Sequence, residues 1–298
     1  MNEYKDHIPV LAKEVLQYLD PRENENVIDG TVGNAGHAKL ILEKTSPFGK
    51  LLGIDADAQQ FNNARRQLQH FNERVILIND SYANIREVAE RMRLKPINGI
   101  LLDLGYSSWH IEQSRKGFSF SKNEALDMRY GGGELTAEKI VNEYKEVELE
   151  RILNEYGEEK FARQIARKIV QQRKVKKITS TFELKEIIEQ TIPGKFKYRS
   201  IHCATRTFQA LRIAVNDELG NLQKVLPQAV EMLAPGGRLV IISFHSLEDR
   251  IVKNFFKEQE KNTIVKILTK KPITALPEEL AQNPRARSAK LRAITKIQ

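Results

Sequence analysis

Two features of this sequence have the residue types and spacing of a ligand site: a glycine-punctuated turn and a series of acids. The turn is "DGTVGNAGHA", residues 29–38, which follows an apolar pair and precedes a helical pattern. The acids end the first four apolar runs of the chain, and they are Asp29, Asp55, Asp80 and Asp103. Ligands of open α/β sheets bind outside the carboxyl ends of the strands, so these acids predict the rim of one binding site.

The turn does not match a dinucleotide site. The GxGxxG fingerprint places glycines where a pyrophosphate approaches the backbone, but this turn has Gly30, Gly33 and Gly36 with bulkier residues between them. The sequence also has no phosphate loop ending in Lys-Ser or Lys-Thr. These features favour S-adenosylmethionine as the ligand. The glycine turn has no phosphate cradle, Asp55 lies about 20 residues farther on as an acceptor for ribose hydroxyls, and the acidic rim suits a cationic sulfonium.

Hydrophobic periodicity predicts the elements that position these residues. Short apolar runs alternate with helical patterns, which is typical of βαβ units and a parallel sheet. The five predicted strands are "NVIDG", "KLLGIDAD", "RVILIND", "NGILLDLG" and "GRLVIISF". Between the fourth and the fifth, only helical patterns occur. We therefore predict an α/β domain made of residues 1–106 and 217–298, with an inserted all-helical substrate-recognition domain at 107–216.

Positive charge is concentrated in the inserted segment. Between Lys160 and Val215 there are fourteen Lys and Arg against three Glu, while the whole chain has a formal net charge of +9. Clustered basic residues are typical of proteins that bind nucleic acid. One predicted helix has basic residues opposite its apolar face, and a second has a polar stripe that is either solvated or contacts phosphates and bases. A basic run near the C terminus adds two more residues. The predicted RNA-binding residues are Arg163, Arg167, Arg206, Gln209, Arg212, Asn216, Arg285 and Arg287.

Composition excludes several other classes of protein. A single cysteine, Cys203, rules out an internal disulfide framework and a cysteine-rich zinc site, and we expect no bound metal. The N terminus lacks the pattern of a signal peptide, and no apolar run reaches the roughly 20 residues of a membrane span. We therefore expect a cytoplasmic protein without membrane contact.

The chain also resembles the bacterial 16S ribosomal RNA cytosine-N4 methyltransferase family, or MraW family, from His7 to about Arg292. Nine stretches carry the resemblance in the family's order. They are "HIPVLAKEVL", "DGTVGNAGHA", "GIDAD", "GILLDLGYSS", "KGFSFSKNEALDMR", "YGEEKFARQIARKIV", "HCATRTFQALRIAVNDEL", "APGGRLVIISFHSLEDRIVK" and "NPRARSAKLR". The resemblance implies a Rossmann-like class I S-adenosylmethionine-dependent methyltransferase domain with a helical insertion. It also implies methylation of the exocyclic amine of a cytidine in the decoding centre of 16S ribosomal RNA, in the small ribosomal subunit.

The resemblance further implies which residues bind S-adenosylmethionine. They are Ala35, Gly36, His37, Asp55, Tyr82, Asp103 and His110. The family usually has glycine at position 35 and glutamine at position 110, where this chain has alanine and histidine. Cys203 replaces the proline of the family's "HPATR" motif.

Methylation of an exocyclic amine requires placement of the acceptor and a group that takes a hydrogen bond from the amine. Asp103 is the predicted catalytic acceptor, with a cofactor-binding role as the alternative, and His37 and His245 are further acid–base candidates. The motif around His245 also fits a helix start in which Ser246 and Asp249 form a capping pattern. Four aromatic residues that follow Asp103 either belong to the core or hold an extruded base. They are Tyr106, Trp109, Phe118 and Phe120.

Two other functions stay open. A nicotinamide-dependent oxidoreductase would use a similar sheet, although the missing GxGxxG argues against it. A non-catalytic RNA-binding or ribosome-assembly factor would retain the methyltransferase fold without transferring a methyl group.

Overall fold

The structure, a computed structural model, describes residues 8–197 and 201–297. It consists of two compact units. The first contains the described residues up to Gly105 and from Leu219 onward, and the second contains Tyr106–Glu218. The second unit is inserted in the sequence of the first, and periodicity predicted its boundaries at 107 and 216. His7, where the family resemblance begins, lies outside the described residues.

The first unit contains one seven-stranded sheet. Its strands are β1 Val27–Asp29, β2 Leu51–Asp55, β3 Val75–Asn79, β4 Ile97–Asp103, β5 Leu233–Ser243, β6 Val265–Ile267 and β7 Lys290–Lys296. The strand order is β3-β2-β1-β4-β5-β7-β6, in which β1 to β5 pair in parallel and β7 pairs antiparallel with both neighbours. This Rossmann-like sheet confirms the predicted α/β class and all five predicted strands. The antiparallel strands β6 and β7 were not predicted: β6 has only three residues, and the basic residues of β7 obscure its apolar pattern.

Helices surround the sheet and make up the second unit. In chain order they are α1 Ala12–Leu19, α2 Gly36–Lys44, α3 Ala58–Leu68, α4 Ile85–Arg91, α5 Ser108–Glu112, α6 Ala137–Glu143, α7 Glu146–Gly157, α8 Ala162–Val175, α9 Thr181–Thr191, α10 Gly194–Lys197, α11 Thr205–Asn216, α12 Glu218–Met232, α13 Ser246–Lys261 and α14 Pro277–Gln282. Short 3-10 helices occupy Gln69–Arg74, Tyr82–Asn84 and Pro284–Ser288. None of the helices in the described residues is long and apolar enough to cross a membrane.

Both faces of the sheet are buried. In β4, Ile100 and Leu102 belong to one apolar cluster, while Leu101 between them belongs to another. This alternation follows from the two-residue period of a strand. Helix α12 contributes to the first cluster through Leu222, and α2 contributes to the second through Ile41. Because both faces of the sheet are covered, a ligand is expected to bind at the carboxyl ends of the strands.

The second unit has a separate hydrophobic core. Helices α7, α8, α9 and α11 bury one face each in a single cluster that includes Leu153, Ile165, Leu184 and Leu211. Its described residues contain no strand, only an isolated bridge between Ala125 and Ser180. The described residues of this unit are therefore helical, and its role in substrate recognition stays a prediction.

Candidate active site

The glycine turn leaves the carboxyl end of β1 and is tied to β2. The Gly33 N–H donates to Asp55 Oδ2 at 2.9 Å, and the Val32 N–H donates to the Ile54 carbonyl at 3.0 Å. Val32 is buried, and its Cγ2 would lie 3.1 Å from a Cβ added to Gly53. Val32 therefore packs the turn onto the sheet. In a dinucleotide-binding loop, glycines instead leave space next to the backbone for a pyrophosphate.

The turn ends at the N terminus of α2. Ala35 precedes the helix in the left-handed conformation, with φ at 63°, and makes no side-chain capping bond. That conformation suits glycine best, which gives a physical reason for the residue usual in the family at position 35. The N–H groups of Gly36, His37 and Ala38 point out of the first turn and have no acceptor within the helix. Such a helix end binds a carboxylate or phosphate.

The buried Asp29 and His37 form a polar cluster with the partly buried Asp103 beside this helix end. His37 Nε2 lies 3.6 Å from Asp103 Oδ2. Both ring nitrogens of His37 and the Oδ1 of Asp103 are buried, and none has a hydrogen-bond partner among the described residues. Burial raises the pKa of Asp29 to about 6, and the nearby His37 limits that rise. Buried polar atoms are nearly always bonded, so this cluster is a candidate ligand site.

Thr31 connects the ends of β1 and β4 around this cluster. The Asp103 N–H donates to Thr31 Oγ1 at 2.7 Å, and the Thr31 N–H donates to Asp29 Oδ1 at 3.1 Å. The turn therefore holds the backbone of Asp103 and the side chain of Asp29.

Asp55 stands at the end of β2 on the other side of the turn. Its Oδ1 accepts from the Asp57 N–H at 2.8 Å, and its Oδ2 accepts from Gly33. Burial raises the pKa of Asp55 to about 7, although both backbone hydrogen bonds act in the opposite direction. A carboxylate oxygen has two acceptor sites, so each oxygen retains one for a ligand hydroxyl. Tyr82 also borders the turn, since its Cβ would lie 3.3 Å from a Cβ added to Gly30.

Two further residues belong to this site although neither is among the cofactor contacts that the family resemblance implies. Asp29 was predicted as one of the strand-end acids at the rim of the site. Gln60, on the inner side of α3, is buried, and neither atom of its side-chain amide has a partner within the described part of the chain. Its Oε1 would lie 4.0 Å from a Cβ added to Gly33. A glutamine at a buried helix position was the available signal, because a polar amide rarely occupies such a position without a partner.

Comparison with known proteins gives the family. The model of the MraW methylase family matches residues 4–297. This chain belongs to the MraW methylase family. The chain is 47% identical over 308 residues to "Ribosomal RNA small subunit methyltransferase H" of Heliobacterium mobile, covering 98% of this chain and 99% of that protein. The Sulfurihydrogenibium protein of the same name is 46% identical over 293 residues, with 98% and 99% covered. A crystal structure of an rRNA methylase from Streptococcus thermophilus aligns with 94% of this chain and 92% of its own, at a TM-score of 0.43 and 12% identity.

Six of the seven cofactor contacts implied by the MraW resemblance lie in the first unit. Ala35, Gly36 and His37 form the start of α2, while Asp55 and Asp103 end β2 and β4. His110 lies in the second unit. There its Nδ1 accepts from the Ser107 N–H at 3.0 Å, and its ring meets Phe118 edge-on at 4.9 Å. The cofactor contact of His110 stays a prediction.

The basic face predicted for α8 is present in this MraW-family chain. Arg163 and Arg167 are exposed, whereas Ile165 on the opposite side is buried. Arg167 Nε lies 3.5 Å from Glu146 Oε1 at the surface. Both arginines line an open groove together with Gln164, Lys168, Gln171, Gln190 and Thr191.

The C-terminal basic run divides into exposed and buried residues. Arg285 and Arg287 are exposed on the 3-10 helix Pro284–Ser288. Arg292 is buried in β7, where its Nε donates to Asp249 Oδ1 at 2.6 Å. Arg292 therefore serves the fold, and the exposed pair keeps its predicted RNA-binding role.

The prediction of a free polar stripe on α11 is wrong for Arg212 and Asn216. Arg212 is only 8% exposed, and its Nε and Nη2 donate to Glu218 at 2.7 and 2.8 Å. Asn216 donates to the Met128 carbonyl at 2.7 Å and accepts from the Tyr130 N–H at 2.9 Å. The helix is covered on this side by residues 128–130, and helical periodicity cannot show such a second neighbour.

The other two residues of the stripe are partly exposed. Arg206 Nη1 donates to the Glu158 carbonyl at 3.1 Å, and Gln209 Nε2 donates to the Tyr156 carbonyl at 3.0 Å. Both bonds attach α11 to the end of α7. An RNA contact of Arg206 or Gln209 stays a prediction.

The helix start around His245 differs by one residue from the predicted pattern. His245, and not Ser246, occupies the N-cap position of α13. Its Nδ1 accepts from the Glu248 N–H at 3.4 Å, and Glu248 Oε2 accepts from the His245 N–H at 3.3 Å. This reciprocal arrangement is a capping box. The residue types around His245 are therefore explained by helix initiation.

Proposed function

We propose that this chain transfers the methyl group of S-adenosylmethionine to the N4 amine of a cytidine in the decoding centre of 16S ribosomal RNA, within the small ribosomal subunit. One observation carries the proposal: the ends of β1, β2 and β4 combine an open helix N terminus, the Asp55 carboxylate and the unsatisfied atoms of His37 and Asp103. The relatives named as ribosomal RNA small subunit methyltransferases supply the substrate class.

The residues of this rim fit S-adenosylmethionine. The first-turn N–H groups of α2 suit its carboxylate, and the remaining acceptor sites of Asp55 suit the ribose hydroxyls. Asp29 and Asp103 suit its two cationic groups, because an acid attracts a cation strongly where water is scarce. When bound, this cofactor supplies a methyl group that its sulfonium has already activated.

Asp103 is assigned the acceptor role in the reaction. The lone pair of the cytosine amine is shared with the ring, so the amine attacks more readily when a group accepts its hydrogen. Among the described residues, the Oδ1 of Asp103 has no hydrogen-bond partner, which suits this role. A carbon–nitrogen bond would form at the amine as the methyl–sulfur bond breaks, with the electron pair of the broken bond going to sulfur. Methylation would leave one proton too many on the nitrogen, and Asp103 would take that proton. His37 Nε2, at 3.6 Å from Asp103 Oδ2, is close enough to share it.

Exposed arginines are assigned to the RNA backbone. Arg163 and Arg167 on α8, together with Arg285 and Arg287, present guanidinium groups at the surface. Guanidinium groups bind phosphates, fix the position of the RNA and carry no sequence information of their own. Together with the rRNA substrate, these exposed cations support the expectation of a cytoplasmic protein acting on the ribosome.

Two assays test this function. We expect S-adenosylmethionine, and not NAD, to raise the melting temperature, and label from its methyl group to enter the RNA of unmodified small subunits. Stabilisation by NAD alone would replace the proposal with an oxidoreductase. Tight cofactor binding without methyl transfer would favour the assembly factor that keeps a methyltransferase fold.

A further inference from the structure

Four aromatic residues follow Asp103 in the sequence, and the structure separates them by exposure. Phe118 is buried, and Phe120 packs on Phe208 at 5.3 Å within the core of the second unit. Trp109 is partly buried and meets His110 edge-on at 5.4 Å. Tyr106 is 41% exposed. Of the four, Tyr106 therefore offers the most accessible ring to another aromatic group.

The Tyr106 ring rests on a fixed cation. The central carbon of the Arg212 guanidinium lies 4.5 Å from the ring centre. Arg212 cannot move away easily, because Glu218 holds two of its nitrogens and is itself bonded by the Tyr130 hydroxyl at 2.9 Å. A cation over one face of an aromatic ring stabilises that position of the ring. The buried ion pair thus fixes an exposed tyrosine.

Neighbouring rings restrict Tyr106 further. Phe118 lies 6.3 Å from it in a stacked orientation, and Tyr130 stacks on Phe118 at 5.5 Å with an interplanar angle of 14°. A platform that is ordered before the ligand arrives loses little conformational entropy on binding.

We propose that Tyr106 is the stacking platform for the target cytosine and that Arg212 is its positioning residue. This inference rests on the proposed function and names the group that holds the extruded base. Tyr106 follows Asp103 by three residues, so the chain limits the distance between their Cα atoms to at most about 11 Å. Stacking of a base on an aromatic side chain is tolerant of sequence and needs a flat ring.

The test compares flat with non-flat side chains at position 106. Tyr106→Phe keeps the ring, whereas Tyr106→Leu keeps an apolar side chain without it. We expect Tyr106→Leu to raise the KM for unmodified small subunits roughly 5- to 150-fold, while the Kd of S-adenosylmethionine and the KM of Tyr106→Phe stay near wild type. Phe182→Leu is the matched control, because Phe182 is 45% exposed and has Lys185 Nζ at 5.8 Å from its ring centre.

A second readout does not depend on methyl transfer. A decoding-centre RNA hairpin with fluorescent pyrrolocytosine at the target position is expected to lose fluorescence on binding wild type, Tyr106→Phe or Phe182→Leu, but not Tyr106→Leu. If Tyr106→Leu quenches the fluorescence as strongly as wild type, the stacking role is overturned even if the proposed reaction is correct. If the quenching is as predicted but no methyl group is transferred, only the proposed reaction is overturned. If Tyr106→Leu has a lower melting temperature than wild type, Tyr106→Trp is the deciding variant. Its wider ring should keep the fluorescence quenching, and loss of quenching in Tyr106→Trp would refute a stacking role.

Discussion

His37 Nε2 lies 3.6 Å from Asp103 Oδ2 at the carboxyl edge of the sheet, and both ring nitrogens of His37 are buried without a hydrogen-bond partner among the described residues. The two residues come from different elements: His37 from the first turn of α2 and Asp103 from the end of β4. This pair therefore brings the proposed cofactor-binding turn next to the carboxylate that is assigned to accept the proton of the amine.

Replacing Asp103 with Asn is expected to lower kcat by roughly 10²- to 10⁴-fold, because the amide cannot take the proton of the amine. His37→Gln is the companion variant, and we expect a smaller loss since His37 acts through Asp103. Single-turnover methylation at saturating S-adenosylmethionine measures both. An unchanged kcat together with a weaker Kd for S-adenosylmethionine would assign Asp103 to cofactor binding alone.

Cofactor affinity is expected to depend on pH through Asp55. Burial raises the pKa of this carboxyl to about 7, so a large share of it is protonated below neutral pH. The ionised form is the better acceptor for hydroxyl groups, and affinity for S-adenosylmethionine should therefore increase as the pH rises through 7. Below this pKa, the Kd should grow by up to about tenfold per pH unit.

Isothermal titration across this pH range measures the effect, with Asp55→Asn as the control. The variant should bind more weakly at high pH and show a flatter profile, since the amide does not titrate. An equally steep profile in Asp55→Asn would assign the dependence to another group, such as Asp29, whose pKa burial raises to about 6.

The basic face of α8 is expected to act through phosphates. In the double variant Arg163→Gln/Arg167→Gln, RNA binding should weaken, and the slope of log affinity against log salt should fall by about 1.5 to 2. Arg151→Gln is a matched control from α7, since Arg151 is 58% exposed and Arg167 is 56% exposed. A slope identical to wild type would exclude phosphate contacts at this face.

Arg212 is expected to matter for stability. In Arg212→Leu the buried Glu218 loses its partner, which should lower the free energy of unfolding by about 3–5 kcal/mol in urea. The double variant Arg212→Leu/Glu218→Leu should recover part of this loss, because no unpaired charge remains buried. If Arg212→Leu instead has wild-type stability and a smaller slope of log RNA affinity against log salt, the direct RNA contact predicted from the sequence would be supported.

Much of the first unit follows from local patterns. The short apolar runs of β1 to β5 and the strand-end acids Asp29, Asp55 and Asp103 were sufficient to predict the sheet and its ligand edge, because both depend on short stretches of sequence. The same logic placed Arg163 and Arg167 on the free side of α8. The burial or exposure of a residue is predictable in this way when it depends only on the residue's own helix or strand and on the layer packed against it.

Relationships between distant segments were not predictable. Arg212 looks like a free cation on its helix, and only the arrival of Glu218, Tyr130 and Tyr106 turns it into a buried support. The basic residues of β7 similarly concealed a strand, because the partner of Arg292 is Asp249, 43 positions earlier. A single sequence contains the residue types but not these pairings.

Identification of the methylated nucleoside is the decisive test of the proposed reaction. Unmodified small subunits are incubated with the full chain and S-adenosylmethionine labelled in its methyl group, and the 16S ribosomal RNA is digested to nucleosides for mass spectrometry. We expect one labelled nucleoside, N4-methylcytidine, from the decoding-centre fragment, with the label reduced sharply in Asp103→Asn. Label on an adenine, on a ring carbon of cytosine or on protein would contradict it.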